Sequence, residues 1–490
     1  MNEKIQDLQG KKIAILGLGL ENLALVRYIL KHKIKCEITI CDKRKDVGAI
    51  HELPLRKNIH WQLGKEPLRK NIHWQLGKEY NRCLGGAGKN LEKFDILFRS
   101  PGWPTDRITN YELRITNLVS SPMKLFFQLC PTRNIIGVTG TKGKGTTASL
   151  IYEILKKHFS VETRRGASVH LGGNIGMAPF EFIDKLKKTD WVVLELSSFQ
   201  LEDMTASPPI AVITNFYPEH LAPADPNNPN YHKTLKEYWR AKMNIIKWQG
   251  RRDKTVLNYE LRIMNYELKT QGKKIYFGKS ELPSKLIGEH NQENIAAAVA
   301  VAKIVGVKQE IIKKAVANFK GLEHRLEFVR ELNGVKYYND SFATTPESTI
   351  IALKSFSQPI ILLAGGAEKK SNFSQLVREI KKRVKFAVLL KGVATARLNR
   401  ELLKAGYSNS KIRLVSNIKS AIARASQQAL KNDIILLSPA CASFGMFKNY
   451  KERGNLFKQA VNPVKKGFSS GVKKFTPLNN FAFSKINSAK

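Results

Sequence analysis

Short apolar runs alternate with amphipathic stretches along most of this chain, and that alternation is its first readable feature. Residues 12–16 (KIAIL) form an apolar run followed by Gly17-Leu18-Gly19 and then by ENLALVRYILKH, whose apolar positions recur at helical spacing. The pattern predicts strand, turn and helix. A second strand, CEITICD, ends at Asp42, which completes the outline of a nucleotide-binding βαβ unit. From residue 134 the runs NIIGV, WVVLEL and IAVIT are separated by helical stretches, the order expected of a parallel sheet. Another α/β region begins near residue 320, with KYYND, IILLAGG, FAVLL and IILLSPA as strands. Beyond about residue 463 the chain is basic, rich in Ser, Asn and Gly, and aperiodic, which predicts a disordered tail.

At 490 residues the chain is too long for one ordinary core, and about 150 residues per domain implies roughly three. The composition, 42% hydrophobic and 25% charged, is globular, and no run reaches the roughly 20 apolar residues of a membrane span. The first residues, MNEKIQDLQGKK, hold no apolar signal core, so a cytoplasmic protein is expected. The five cysteines, Cys36, Cys41, Cys83, Cys130 and Cys441, form no C-x-x-C pair and suggest reduced thiols. A net charge of +41 raises the possibility of nucleic-acid binding. The lysines are nevertheless dispersed, and no zinc-finger spacing or aromatic RNA-binding box accompanies them, so a basic surface suited to anionic small molecules is the simpler reading.

Residues 54–66 (PLRKNIHWQLGKE) recur unchanged at 67–79. Two copies of 13 residues cannot stack as a solenoid, and a local duplication in a surface loop is expected. NYELRI at 110–115 and 258–263, with NYEL at 265–268, reads likewise as loop insertions without a function.

The strongest local signal is IIGVTGTKGKGTTASLIYEIL, a strand entering Gly140, Thr141, Lys142, Gly143, Lys144, Gly145, Thr146 and Thr147 and leaving as a helix. Glycines admit backbone N–H groups to a phosphate, the helix start adds a positive dipole, and Lys144 can reach β and γ oxygens. The loop departs from the usual P-loop in having Val138 where a glycine is expected and Gly145 where a hydroxyl follows the lysine, which leaves Thr146 as the candidate magnesium ligand. Glu195 (WVVLELSSFQLE) and His220 (NFYPEHL) follow strands, at the carboxyl ends where α/β proteins bind ligands. Alone, each has a bland alternative: a buried paired charge, or a satisfied loop histidine. The opening G-x-G-x-x-N, with Asn22 in the third glycine position, is a weak dinucleotide signal by itself.

In combination, TGTKGKGTT, GGNIG (172–176), LELSSFQLE, TNFYPEHL, EYWRAKMNI (237–245), GEHNQENIAAA (288–298), GLEHRLE (321–327), YYNDSFATTPEST (337–349) and LLSPACASFGMFKNYKERGNLF (436–457) resemble the Mur ligases. These motifs cover most of residues 134–460, and the last, with GGAEKKSNF (365–373), looks like the D-glutamate-adding branch. The resemblance implies an α/β protein of three domains. These are an N-terminal Rossmann-like domain (1–133) holding a UDP group, a central P-loop ATPase-type parallel sheet (134–317), and a C-terminal Rossmann-like domain (318–462) bringing the amino acid, before a tail at 463–490. It implies ATP and Mg²⁺, two ions, and a monomer that joins D-glutamate to UDP-N-acetylmuramoyl-L-alanine through an acyl phosphate, without nucleic acid or a membrane span.

Residue by residue, the resemblance implies Gly19, Asp42, Ser100 and Asn174 at the UDP substrate; Lys144 at the γ-phosphate; Thr146, Glu195, His220 and a carbamylated Lys242 around magnesium; Asn291, His324, Arg325 and Asp340 around ATP; and Thr344, Lys369, Ser443 and Tyr450 at D-glutamate. Carbamylation would turn an ammonium, which only donates, into an oxygen ligand that Mg²⁺ accepts. The unmodified alternative is an ordinary helix-surface lysine. Two departures stand out. Phe342 replaces a lysine common in D-S-K-A-T, and HLAPADPNNPNYH is longer than H-L-D-x-x-H and leaves the aspartate without a counterpart. The competing readings are a Mur-type ligase or folylpolyglutamate synthase of other amino-acid choice, and a basic P-loop ATPase acting on nucleic acid.

Overall fold

The computed structural model describes residues 3–42, 72–76, 93–103, 119–161, 166–221, 230–263, 268–368 and 371–462. Lys369, the 463–490 tail, NYELRI at 110–115 and residues 222–229 of the long H-L loop lie outside the described residues.

Three sheets follow one another along the chain. The first contains β1 (Lys12–Leu16), β2 (Glu37–Asp42), β3 (Ile72–Leu76), β4 (Ile96–Arg99) and β5 (Val119–Ser120), in the order β3-β2-β1-β4-β5 and wholly parallel. The second contains β6 (Ile135–Thr139), β7 (Val169–Gly173), β8 (Trp191–Glu195), β9 (Ile210–Ile213), β10 (Lys254–Asn258) and β11 (Lys273–Phe277), ordered β11-β10-β9-β6-β8-β7 and also parallel. The third contains β12 (Glu327–Leu332), β13 (Val335–Asn339), β14 (Ile360–Ala364), β15 (Val384–Leu390), β16 (Ile412–Val415) and β17 (Ile434–Leu437), ordered β12-β13-β17-β14-β15-β16, with only β12 antiparallel to its neighbour. Central strands such as β6, β14 and β17 are buried along their full length. Helices cover both faces of such sheets, so uninterrupted apolar runs are what the geometry demands.

The duplicated segment is not loop alone. Its second copy supplies β3, which pairs in parallel with β2 from Ile38–Ile72 to Asp42–Leu76. This corrects the expectation of a surface insertion: a run of alternating β-branched, aromatic and aliphatic residues beside an open sheet edge finds ladder partners there. The first copy lies outside the described residues. Cutting thirteen residues yields one sequence whichever copy is removed, and that sequence still contains IHWQL. Removal is therefore expected to keep turnover at the parental level and to change stability by only about 0.5 kcal/mol, through a shorter link between β2 and β3. Thermal unfolding followed by circular dichroism checks it, and an unfolded product would show that both copies are required.

NYELRI at 258–263 is likewise structural. Asn258 ends β10 and is buried, and Tyr259–Ile263 form a short helix. Of the cysteines among the described residues, Cys36, Cys130 and Cys441 form no disulfide, whereas Cys41 is disulfide-bonded, against the expectation of thiols throughout. No helix among the described residues is long and apolar enough to cross a membrane.

Candidate functional site

The phosphate loop connects β6 to the helix Lys144–Val161 at the carboxyl edge of the second sheet. The segment after β9 braces it. Asn215 Oδ1 accepts from the backbone N–H groups of Thr141 (3.1 Å) and Lys142 (2.8 Å), and Thr214 Oγ1 donates to Lys142 O (2.6 Å). Thr141 Oγ1 accepts from Tyr217 N (3.0 Å) and meets Tyr238 OH (3.2 Å). Sequence reading passed over Asn215 and Thr214; their place in TNFYPEHL, beside His220, was the available signal. Lys142 pairs with Glu219 and so is partly neutralised, leaving Lys144 as the cation inside the loop.

Lys144 Nζ donates to Thr141 O at 3.0 Å, and burial lowers its pKa while Glu195 and Glu219 oppose that shift. Lys242 is 1% exposed on the helix Leu235–Met243; its Nζ donates to Gly140 O at 2.7 Å and lies 4.6 Å from the Tyr238 ring centroid. Burial, reinforced by Lys144, holds its ammonium well below the usual lysine range. It is therefore no helix-surface lysine. His220 adopts φ +59°, and burial pushes its imidazole down to about 4, which leaves a neutral ring with a free lone pair at pH 7.

Glu195 ends β8. Its Oε1 accepts from Asn174 Nδ2 at 3.3 Å, while Oε2 is buried without a hydrogen-bond partner. An orphaned buried carboxylate oxygen at the mouth of a phosphate loop fits a hard cation. Among the described residues no three His, Cys, Asp or Glu side chains cluster as a metal cage. The Glu195 carboxylate and the Thr146 hydroxyl are oxygen donors of the kind Mg²⁺ takes, an ion that uses few protein ligands and completes its shell with water and phosphate oxygens. Asn174 thus joins Glu195 at the phosphate end of the site.

A Cβ on Gly145 would lie 3.2 Å from Glu195 Oε2 and 3.5 Å from an Arg325 nitrogen. Gly145 is the departure from the P-loop pattern, and it sits where a side chain would press on Glu195 Oε2 and lie in ordinary contact with the Arg325 guanidinium. The cleft continues along Lys142, Gly143, Thr146, Asn291, Leu322, Arg325, Asp340 and Phe342, between the second and third sheets. Thr147 is turned away, with Oγ1 donating to Asn294 Oδ1 at 3.3 Å. Asn291 Nδ2 donates to Ile287 O at 2.7 Å. Asp340 accepts from Ser438 Oγ (2.8 Å) and Leu326 N (3.2 Å), yet burial still pushes its carboxyl up to about 7.

His324 does not reach this cleft. It is buried with φ +65°, its Nδ1 lies 2.9 Å from Asn339 Nδ2, and its backbone N–H donates to Glu327 at 2.9 Å. Its motif position suggested a nucleotide contact; in the structure it shapes the turn that projects Arg325. Thr344, Ser443 and Tyr450 flank one region of the third sheet's carboxyl edge. Arg453, absent from the expectations and fully buried, ties that region together: Nε donates to Ser341 Oγ (3.0 Å), and the guanidinium also donates to Ser341 O (2.8 Å) and Cys441 O (3.3 Å). Lys369 lies outside the described residues.

At the N-terminal sheet, Asp42 Oδ2 accepts from Leu18 N at 2.8 Å and so shapes the G-x-G turn. Gly17, rather than Gly19, has the left-handed φ of +78°, and a Cβ there would meet Ser100 Oγ at 2.6 Å. Gly19 is the N-cap of the helix Leu20–Lys31. Asn22 is fully buried and donates to Gly17 O at 2.8 Å, replacing the close packing of a third glycine with a hydrogen bond. Beside Ser100, Arg99 is 1% exposed and crosses to the second sheet's domain, donating to Phe199 O (2.8 Å) and Asp203 (3.0 Å) and lying 3.4 Å from Glu202. Glu202 in turn lies 3.4 Å from His232, whose backbone N–H donates to His220 O at 2.8 Å. Asn230 Nδ2 donates to Pro101 O at 2.6 Å. The substrate-side loop and the phosphate side are thereby held in one register, and His232, the final histidine of the lengthened loop motif, was not singled out from sequence.

Three α/β sheets in succession, with a phosphate loop at the carboxyl edge of the second, define a nucleotide-binding α/β architecture, and comparison with known proteins gives it a family. Residues 138–281 match the Mur ligase middle domain, and residues 324–441 match the Mur ligase, glutamate ligase domain. The chain belongs to the Mur ligases. Among its relatives, the UDP-N-acetylmuramoylalanine--D-glutamate ligase of Acetivibrio thermocellus is 37% identical, covering 95% of this chain and 100% of that one. The ligase of the same name from Clostridium kluyveri is 35% identical over 94% of this chain and 98% of its own. Of solved structures, the MurF ligase from Thermotoga maritima in complex with ADP superposes with TM-score 0.54 at 16% identity, covering 93% of this chain and 96% of that one. UDP-N-acetylmuramate-alanine ligase MurC from the same organism gives 0.51 at 15%, covering 92% and 99%.

Proposed function

We propose that this chain joins D-glutamate to UDP-N-acetylmuramoyl-L-alanine at the expense of ATP, in the cytoplasmic synthesis of peptidoglycan precursors. The D-glutamate-adding activity is the one carried by relatives that match nearly the whole chain at 35% and 37% identity. The observation that supports the mechanism is the placing of Glu195, at the end of β8, and of Arg325, in the turn before β12, both within contact distance of the Cβ position of Gly145 at the phosphate loop.

A carboxylate oxygen of the UDP substrate attacks the γ-phosphorus, the bond to the bridging oxygen breaks, and ADP leaves. The D-glutamate amine then attacks the acyl carbon, inorganic phosphate departs, and the amine loses its proton as the amide forms. Both steps concentrate negative charge, so fixed cations dominate the catalysis. Lys144 stands inside the loop, Arg325 closes over it from the third sheet, and Asn291 and Asp340 line the nucleotide cleft. Bound Mg²⁺ would neutralise phosphate charge; Glu195, His220, Thr146 and a carbamylated Lys242 are the residues that would hold it. Gly19, Asp42, Ser100 and the Arg99-braced loop serve the UDP end. Thr344, Lys369, Ser443 and Tyr450 serve D-glutamate, where a cation and hydroxyls suit a dicarboxylate. The chain acts as a monomer in this reading.

Phosphate release from Mg²⁺-ATP in the presence of UDP-N-acetylmuramoyl-L-alanine, compared across D-glutamate, L-glutamate, L-alanine and a diamino acid, tests the proposal. Release that requires D-glutamate is expected. Turnover with a different amino acid instead would keep the ligase chemistry and overturn the assignment of Thr344, Lys369, Ser443 and Tyr450.

A further inference from the structure

Arg325 is held in an unusual way. It lies between His324 and Leu326, both with left-handed backbone (φ +65° and +46°), so the turn projects its side chain in one direction. Its guanidinium carbon then sits 3.9 Å from the ring centroid of Phe342. The ring is itself fixed. Tyr450 meets it edge-on, with centroids 4.9 Å apart and planes at 87°, and Phe342 N donates to His324 O at 3.0 Å. Among the described residues no carboxylate or carbonyl accepts a hydrogen bond from the Arg325 guanidinium, although the group stands 3.5 Å from a Cβ placed on Gly145. An arginine oriented by a salt bridge spends donors on its support, whereas one lying on an aromatic face is oriented through its π surface and keeps all five N–H groups. Phe342 is 39% exposed and lines the nucleotide cleft.

We propose that Phe342 is a positioning residue for Arg325: its ring holds the guanidinium over the phosphate loop while leaving every donor available to the phosphate chain of ATP. This rests on the reading of Arg325 as a phosphate clamp. Tyr450, stacked edge-on behind the ring, makes the support continuous with the proposed amino-acid site, so the ring joins the two halves of the reaction mechanically.

The test measures the Kd of a non-hydrolysable ATP analogue with Mg²⁺ by calorimetry, and kcat and KM by phosphate release, in Phe342→Leu, Phe342→Trp, Arg325→Ala and the Phe342→Leu/Arg325→Ala double variant, with Tm recorded for each. Phe342→Leu is expected to weaken the analogue about fivefold, Phe342→Trp to stay near the parent, and KM for the UDP substrate to be unchanged in both. On the Arg325→Ala background, Phe342→Leu is expected to change nothing further, and binding remains readable there even if turnover is lost. Equal behaviour of the leucine and tryptophan variants, or the same fivefold loss with and without Arg325, would overturn the positioning role while leaving the clamp intact. Parental analogue binding and parental turnover in Arg325→Ala would overturn the clamp itself, and the positioning role with it.

Discussion

Lys144→Met is expected to lower kcat by about 10³-fold while the protein stays folded, the largest effect foreseen for a single side chain. Among the described residues Lys144 Nζ donates to Thr141 O at 3.0 Å; burial disfavours its charge most, and the carboxylates of Glu195 and Glu219 favour it against the cations Arg325 and Lys142. Methionine keeps the length of the stem and removes the charge, so the helix Lys144–Val161 loses little packing and sheds an ammonium whose burial is unfavourable. Stability should change little, because the relief of burial is offset by the lost attraction of Glu195 and Glu219. In the proposed mechanism the γ-phosphoryl group, by contrast, loses the positive charge that Lys144 supplies. D-glutamate-dependent phosphate release and a thermal melt on the same sample separate the two effects. More than a tenth of parental turnover in a folded variant would remove Lys144 from the mechanism.

Lys242 gives the second large effect, through chemistry that its burial favours. Only an unprotonated amine can attack carbon dioxide, and Lys242 is 1% exposed with its ammonium held well below the usual range. Carbamylation of the unprotonated amine forms an N–C bond, opens one C=O π bond of carbon dioxide, releases one proton and so replaces a neutral amine with an anion beside Lys144, the neighbour whose charge opposes protonation of Lys242. The exchange sets opposite charges side by side and supplies oxygen ligands suited to magnesium. Lys242→Ala is expected to lose about 10²-fold in kcat, and the parent enzyme stripped of dissolved carbon dioxide is expected to lose activity that bicarbonate restores. The sign with pH follows from the amine: lowering pH reprotonates it, so dependence on added bicarbonate should grow as pH falls. Parental activity in Lys242→Ala, together with indifference to bicarbonate, would rule the carbamate out.

The phosphate loop, the strand pattern and the order of the motifs were legible in the sequence because each is local. A strand that will be covered on both faces must be apolar throughout, as IILLA and IILL are, and a loop that admits phosphate must carry glycine and lysine within a few positions. Lys144, Glu195, Asp340 and Arg325 could be named on those grounds together with the resemblance to a family. The surroundings of His324 could not be read, since a histidine in a turn looks the same in sequence whether it faces a cleft or, as here, Asn339 and Glu327. The duplicated segment misled for the opposite reason. Repetition suggested an insertion, while IHWQL at 72–76 found a sheet edge that sequence cannot display.

What the sequence by itself determined is therefore the set of elements and the chemical vocabulary: parallel strands, a phosphate loop, a strand-end carboxylate and a basic chain. What only the tertiary structure decided is which distant residues face one another. Arg99 reaching Asp203, Arg453 binding Ser341 to Cys441, Glu195 left with an unpaired oxygen, and Arg325 lying on Phe342 beside Gly145 all depend on contacts between segments far apart in the chain. Local propensity fixes backbone conformation over a few residues. The direction and pairing of a buried charge are fixed by the whole fold, because a charge withdrawn from water is stable only where partners from other elements meet it.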